Sequence, residues 1–359
     1  GDELGSLITA EMLQAEKHNE GLIKSLTWFP DLSFRIPIGV STIALIPWVL
    51  KNVFGMEKKP KKAPEQIAQE KAAKIRKTKD SQFLPRFAEN IDVKITDKCS
   101  QNCPFCYESC TSEGKHGKLM IDNKPAQKWM EDLHPFTELA INGNDMDHPE
   151  LIPFLTYLKE KQVIANITVN QNQFITNYQT LKELYENKLI YGIGVSLLNP
   201  TEQLISLAQT IPTVVIHTIA GLLTKEHIQA LSNKDLKILI LGYKSMGRGN
   251  SYYYEKGHYS SIHHNLQMLT NELKDLIPKF NVVSFDNLAL VQLEVKRKLF
   301  ADNPEEWETF YMGDDGTMTF YIDAVKETYA ASSLRLKHEE YPILGLTSQE
   351  MFKNIKSQN

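Results

Sequence analysis

The sequence predicts an α/β chain of alternating parallel strands and helices: a partial (β/α)6 barrel with a helical N-terminal extension and a small C-terminal α+β extension. Six short apolar, β-branched runs recur between residues 91 and 241, and most of the gaps between them carry an amphipathic helical pattern. The later repeats are spaced by about 25 residues. Strand then helix at that spacing implies βα units with right-handed crossovers.

Taken in order, residues 1–35 read as a short amphipathic helix running into Trp28, Phe29 and Pro30. Residues 36–50 are fifteen uncharged residues between Arg35 and Lys51, short for a membrane span of about 20 and interrupted by Pro37 and Pro47. Packing or oligomer contact, interfacial membrane attachment and a true span all stay open for this run. Residues 51–80 carry ten Lys or Arg against four acids and read as a basic linker and charged helix, either a solvated face or a tether to anionic lipid or RNA. A composition shift at Pro85 sets the expected boundaries: an extension over 1–84, the barrel over 85–280 and the C-terminal extension over 281–359.

Strands are expected over 91–96, 138–142, 164–170, 191–197, 213–219 and 236–241. Helices are expected over 125–133 after Asp122, 149–159, 180–186, 200–207 after Asn199, and 225–231 after Thr224. Beyond Leu241 the pattern yields only a loop over 242–257, a helix over 262–276 and a short strand over 281–285, which disfavours a full eight-unit barrel. In such barrels the loops at the C-terminal strand ends build the active site.

The loop after the first strand holds the chemistry. Three of the chain's four cysteines, Cys99, Cys103 and Cys106, fall within eight residues, with Phe105 before the last. Thiolates spaced by four and three can each ligate one iron of a cubane and leave the fourth iron open. A zinc site with His116 is disfavoured because no second cysteine pair follows, and Cys110 lies too close to supply one. A disulfide framework is disfavoured by the crowding, which points to a reducing compartment.

The Cx3CxΦC spacing resembles the signature of the radical S-adenosylmethionine (SAM) superfamily, whose fold is the partial (β/α)6 barrel. The resemblance implies a [4Fe-4S] cluster on Cys99, Cys103 and Cys106, with SAM on the open iron as the source of a 5′-deoxyadenosyl radical. It further implies oxidoreductase or transferase chemistry and an electron donor such as flavodoxin or ferredoxin. After the second strand, Gly143, Asn144 and Asp145 precede His148, Pro149, Glu150 and Leu151 and overlie the family's Gly-Gly-Glu-Pro turn, with Asn144 where Glu stands. By the same resemblance Asn170 and Ser196 meet the ribose and carboxylate of SAM, while Ile219 and Gly221, flanked by His217 and Thr224, match its adenine-contacting pattern. Lys244 and Arg248, on a Gly-rich basic loop, are candidate substrate contacts. Cys110 is a buried thiol or a hydrogen donor.

Residues 284–287 and 311–332 resemble the SPASM or twitch extension, with a hairpin through Phe320, Tyr321, Ile322 and Asp323. Asn, Asp, Ala and Ser stand where its auxiliary-cluster cysteines would be, so a cluster-free extension is expected, serving as a substrate platform.

A net charge of −4 divides into +6 over 51–80 and −10 elsewhere, which disfavours a broad nucleic-acid surface. The expected partner is a peptide or protein substrate. A nucleotide or nucleoside substrate, and a non-catalytic iron–sulfur or SAM-binding adaptor, remain as alternatives. Because the sequence opens on Gly1, a processed or engineered terminus is expected. The expected location is cytoplasmic, with peripheral membrane contact through residues 36–62 left open.

Overall fold

The computed structural model describes residues 87–357 other than residue 312. The expected N-terminal extension, basic linker and apolar run of residues 36–62 lie outside the described residues. Among the described residues no helix is long and apolar enough to cross a membrane.

The strands are β1 (Asn90–Lys94), β2 (Met120–Ile121), β3 (Lys124–Pro125), β4 (Glu138–Asn144), β5 (Ile164–Asn170), β6 (Gly192–Ser196), β7 (Val214–Ile219), β8 (Lys237–Leu241), β9 (Val282–Phe285), β10 (Thr319–Asp323), β11 (Thr328–Ala330) and β12 (Tyr341–Pro342). All but β2 and β3 join one sheet in the order β12-β11-β10-β1-β4-β5-β6-β7-β8-β9. From β10 across to β9 every neighbouring pair is parallel, and β11 and β12 add antiparallel to β10.

The six expected strands are all present, but the parallel set is larger. The run at 281–285 becomes β9 beside β8, and the C-terminal hairpin lends β10 to the open edge of β1. One sheet therefore crosses the boundary expected at 280/281. Periodicity marks a strand but is silent about its partner, so the pairing of residues 319–323 with 90–94 is a tertiary result.

The crossover helices are α1 (Leu151–Glu160), α2 (Gln171–Thr176), α3 (Tyr178–Glu186), α4 (Glu202–Ala208) and α5 (Lys225–Leu231); α6 (Gly247–Tyr254) and α7 (His258–Leu276) follow β8, and α8 (Asn287–Gln292), α9 (Val295–Leu299), α10 (Pro304–Phe310) and α11 (Ser348–Lys356) complete the chain. Three local expectations are corrected. No helix forms over 125–133: Pro125 ends the β2–β3 hairpin and Lys128–Met130 make one 3-10 turn, while Glu150 accepts the Leu119 and Met120 amides at 2.7 and 2.9 Å and holds the strap entering that hairpin extended. α4 is capped by Thr201, whose hydroxyl accepts the Leu204 amide, while the Asn199 amide is taken by the Gln171 side chain. The Gly-rich segment expected as a loop is largely α6.

Alternation along the strands sorts the side chains onto two faces. One face presents Ile91, Val93, Leu139, Ile141, Ile167 and Val195 to the helices as part of the main core. The other carries Lys94, Asn142, Thr168 and Gly194 in register, with Asp92 and His217 on the same face. The sheet curls around this polar face. Five inter-strand steps separate β1 from β8, roughly 24 Å if flat, yet the Lys244 ammonium just past β8 stands 4.3 Å from the ring centroid of Tyr107 on the loop that follows β1. At the seam between β9 and β10, Asn287 donates to Asp315 at 2.7 Å.

Candidate active site

The cysteine loop leaves the C-terminal end of β1 and is closed at its base. The Asp97 amide donates to Lys115 O, the Cys99 amide to Thr111 O and the Gly117 amide to Ile95 O, all at 2.8 Å. Within the loop Cys106 N donates to Cys103 O and Ser109 N to Cys106 O, each at 3.2 Å, so the second and third cysteines lie on consecutive tight turns. Asn102 and Ser109 take the positive-φ positions.

Side chains from the neighbouring strand ends hold the loop from several sides. Asn142 on β4 accepts the Ile95 amide at 2.6 Å and donates to Thr96 O at 3.0 Å. The strand register shifts between Asn142 and Asn144, a bulge at Gly143 that re-aims the residues after it. Asn144 then donates to Lys98 O at 2.9 Å. Asp145 accepts the Ser100 amide and hydroxyl at 2.6 and 3.0 Å and the Asn170 side-chain amide at 2.6 Å. Asn170, at the end of β5, also lies 3.8 Å from Cys99 Sγ as a donor and caps α2. His148 meets Gly117 O at 2.9 Å, so His148 and Glu150 together hold the strap that returns from the loop.

The fourth side is α6. Arg248 donates through Nε to Cys103 O at 3.0 Å and through Nη2 to Cys110 O at 2.7 Å, while its backbone amide reaches Cys106 O at 3.1 Å. Its guanidinium therefore grips the cysteine loop. The flanking glycines permit this approach: a Cβ on Gly247, at φ +50°, would sit 2.3 Å from Tyr107 O, and one on Gly249 would sit 3.0 Å from Phe105 O. Phe105 packs edge-on against Tyr252 of α6 at 5.9 Å between ring centroids.

The remaining candidates line the same end of the sheet. Ser196 ends β6 in register with Asn170, and is exposed. Ile219 ends β7, and Gly221 just beyond it offers its carbonyl to Asn265 at 3.0 Å. His217 lies over the backbone of Gly194, where a Cβ would come within 2.4 Å of its ring; burial pulls its pKa down to about 4, so the imidazole is neutral. Lys244 is half-buried, with its ammonium 4.3 Å from the centroid of Tyr107 and 2.8 Å from the Ser333 hydroxyl. Burial opposes its charge, but Tyr107, Asp286 and Asp92 outweigh that and raise its pKa. Asp92 is pushed up to about 6 by burial, against the pull of Lys244.

A network of five further groups, Glu108, Lys94, Asp323, Arg335 and Glu340, escapes sequence reasoning. Glu108, two residues past Cys106, meets Lys94 at 2.8 Å and Arg335 at 3.0 Å. Arg335 also meets Asp323 at 3.5 Å and Glu340 at 2.9 Å. Side chains of Lys94, Asp323 and Arg335 are at most 3% exposed. Burial pushes the Glu108 carboxyl up, but Lys94 and Arg335 overcome it and leave the pKa at about 2. The one available signal was a charged residue inside a strand pattern, carried by Lys94 in Asn90–Lys94 and by Asp323 in Thr319–Asp323.

Cys99, Cys103 and Cys106 are free and half-buried, and Cys110 is buried. Burial raises the pKa values of Cys99 and Cys103, the latter to about 11. Cys106 is lowered by a hydrogen bond from Cys110, whose own pKa rises in consequence. Among the described residues no three His, Cys, Asp or Glu side chains converge on a single ion. His116, the candidate zinc partner, instead meets Thr96 Oγ1 at 3.0 Å. A cubane asks for something else, thiolates kept apart on one short loop, each reaching a different iron, with amide donors near sulfur. The three cysteines and Asn170 fit that demand.

No family model and no curated protein matches the chain. In overall course it is similar to Streptococcus suis SuiB. The structure of SuiB bound to S-adenosylmethionine is 15% identical over 87% of this chain and 78% of that one, with a TM-score of 0.49. SuiB bound to precursor peptide SuiA is 14% identical over 86% and 75%, with a TM-score of 0.49.

Proposed function

We propose that the chain is a radical SAM enzyme with a single [4Fe-4S] cluster that modifies a peptide or protein. The carrying observation is the cysteine loop itself: three free thiols on a backbone-zipped loop at the C-terminal end of a curled parallel sheet, facing a polar inner surface. Cys99, Cys103 and Cys106 would hold the cluster. When bound, cluster and SAM supply reductive cleavage of the sulfonium bond to a 5′-deoxyadenosyl radical.

The chain's own residues provide the setting. Asn144, with its amide nitrogen engaged by Lys98 O, offers Oδ1 as an acceptor for an amine, and Asp145 adds a carboxylate with remaining lone pairs. Ser196 presents a hydroxyl at the strand end, and Phe105, Ile219 and Gly221 supply apolar and backbone surface. Lys244 faces the interior between Tyr107, Ser333 and Asp92, which suits a polar substrate group inside the sheet's curl and disfavours a surface phosphate contact. The peptide class rests on the likeness of residues 311–332 to a twitch hairpin.

Anaerobic reconstitution tests the proposal. About four irons per chain are expected, with SAM-dependent release of 5′-deoxyadenosine on reduction. Cys103→Ala should lose both; retention of iron and of SAM cleavage in that variant sinks the assignment. About eight irons would refute the single cluster.

A further inference from the structure

The C-terminal segment that would carry auxiliary-cluster cysteines in a SPASM-type chain carries none, yet it reaches the cysteine loop directly. Ser333 accepts the Lys244 ammonium that stands over the ring of Tyr107. Two residues on, Arg335 forks onto Glu108, with Nη1 3.0 Å from Oε1 and Nη2 3.5 Å from Oε2, and lies over the Tyr321 ring at 4.2 Å. The consecutive loop residues Tyr107 and Glu108 are thus gripped from residues 333 and 335, more than two hundred positions away in sequence.

The arrangement has more charge than packing requires. Lys94 joins Glu108, Asp323 and Asp97, and Arg335 joins Glu108, Asp323 and Glu340. A buried ion network gives little net stability compared with an apolar equivalent, and its best-attested use is to fix one geometry among several. The planar guanidinium fork defines the position of a carboxylate in two dimensions, which an ammonium does not. Here the carboxylate so fixed lies two residues from Cys106.

We infer that Arg335 is a positioning residue which, through Glu108, sets the geometry of the Cys103–Cys106 half of the loop, so that ion pairs tie the C-terminal segment to that loop. The effect on a cluster rests on the radical SAM proposal; the effect on the loop does not.

The test uses the full chain and two readouts. In the metal-free protein, hydrogen exchange of amides over residues 103–110 should quicken at least tenfold in Arg335→Met, stay close to wild type in Lys326→Met, which removes a neighbouring charge on Glu340, and be intermediate in Arg335→Lys. In reconstituted protein, Arg335→Met should keep its iron but show an altered paramagnetic spectrum of the reduced cluster on adding SAM, with a several-fold lower maximal rate of 5′-deoxyadenosine release at unchanged SAM KM. If Arg335→Met does not fold, the charge-balanced Glu108→Gln/Arg335→Met variant replaces it and should show the same two changes. Wild-type exchange over 103–110 in whichever variant folds overturns the inference. A wild-type chain that binds no iron would refute the proposed function and leave the exchange result to decide this one.

Discussion

Glu108 shows how much a single side chain contributes at this site. Its carboxyl is lowered from 4.5 to about 2 by Lys94 and Arg335 working against burial. A depressed carboxylate stabilises the fold above its unfolded pKa and loses that contribution as pH falls toward the folded value. The share carried by Glu108 is therefore complete above about pH 4.5 and is lost between there and pH 2, on the order of 3 kcal/mol in all. Glu108→Gln should flatten the acid limb of stability in that window, measured by denaturant unfolding at stepped pH. Acid limbs of equal slope would show that the ion pairs do not form in solution. Asp92 has the opposite sign: with a folded pKa raised from 3.8 to about 6, it favours the fold below pH 3.8 and loses that contribution as pH rises through 6. Asp92→Asn should gain stability over wild type across that interval and hold the gain above it.

At the scale of the element, β10 matters most, because it closes one side of the sheet with residues that also reach the core. Phe320 is 1% exposed and stacks on Phe352 of α11 at 5.9 Å between ring centroids, and its neighbour Ile322 is fully buried. Replacing Phe320 by Ala removes a buried ring the surroundings cannot refill and should cost about 3–5 kcal/mol. A lower denaturation midpoint with an unchanged slope is the expected signature; a loss below 1 kcal/mol would mean that β10 is only loosely joined to β1. The α5 helix makes a contrasting case, since Thr224 and His227 cap it reciprocally and its span is legible from local chemistry alone. α6 was not legible, because its Gly247–Arg248–Gly249 start has the composition of a loop. What makes it a helix start is the surface of the cysteine loop, against which only glycine fits.

For the whole molecule, the sheet runs from the C-terminal hairpin through β1 to β9, so the chain from residue 87 onward is one structural unit about a shared core. Deleting residues 317–359 would strip the parallel partner from β1, uncover Ile91 and Val93, and release Glu108 from Arg335. Such a truncation should aggregate on size-exclusion chromatography, as an exposed apolar edge strand does. A monomeric, cooperatively folding product would show that the sheet from β1 to β9 holds together without the C-terminal hairpin.

The local features were determined by sequence for a plain reason: periodicity, caps and motif spacing are short-range and survive without knowledge of partners. All six expected strands, the α5 span and the position of the cysteine loop at a strand's C-terminal end follow from them. Pairing, charge and function of individual polar side chains were decided by tertiary structure. Lys244 and Arg248 look alike in sequence, two cations on a basic segment, yet one faces the interior beside Asp92 and the other is bonded to loop carbonyls. Arg335 and Glu108 cannot be associated from sequence at all. Only the pairing of β10 with β1 brings the C-terminal segment onto the loop that leaves β1, and burial there makes a paired charge tolerable and an unpaired one prohibitive.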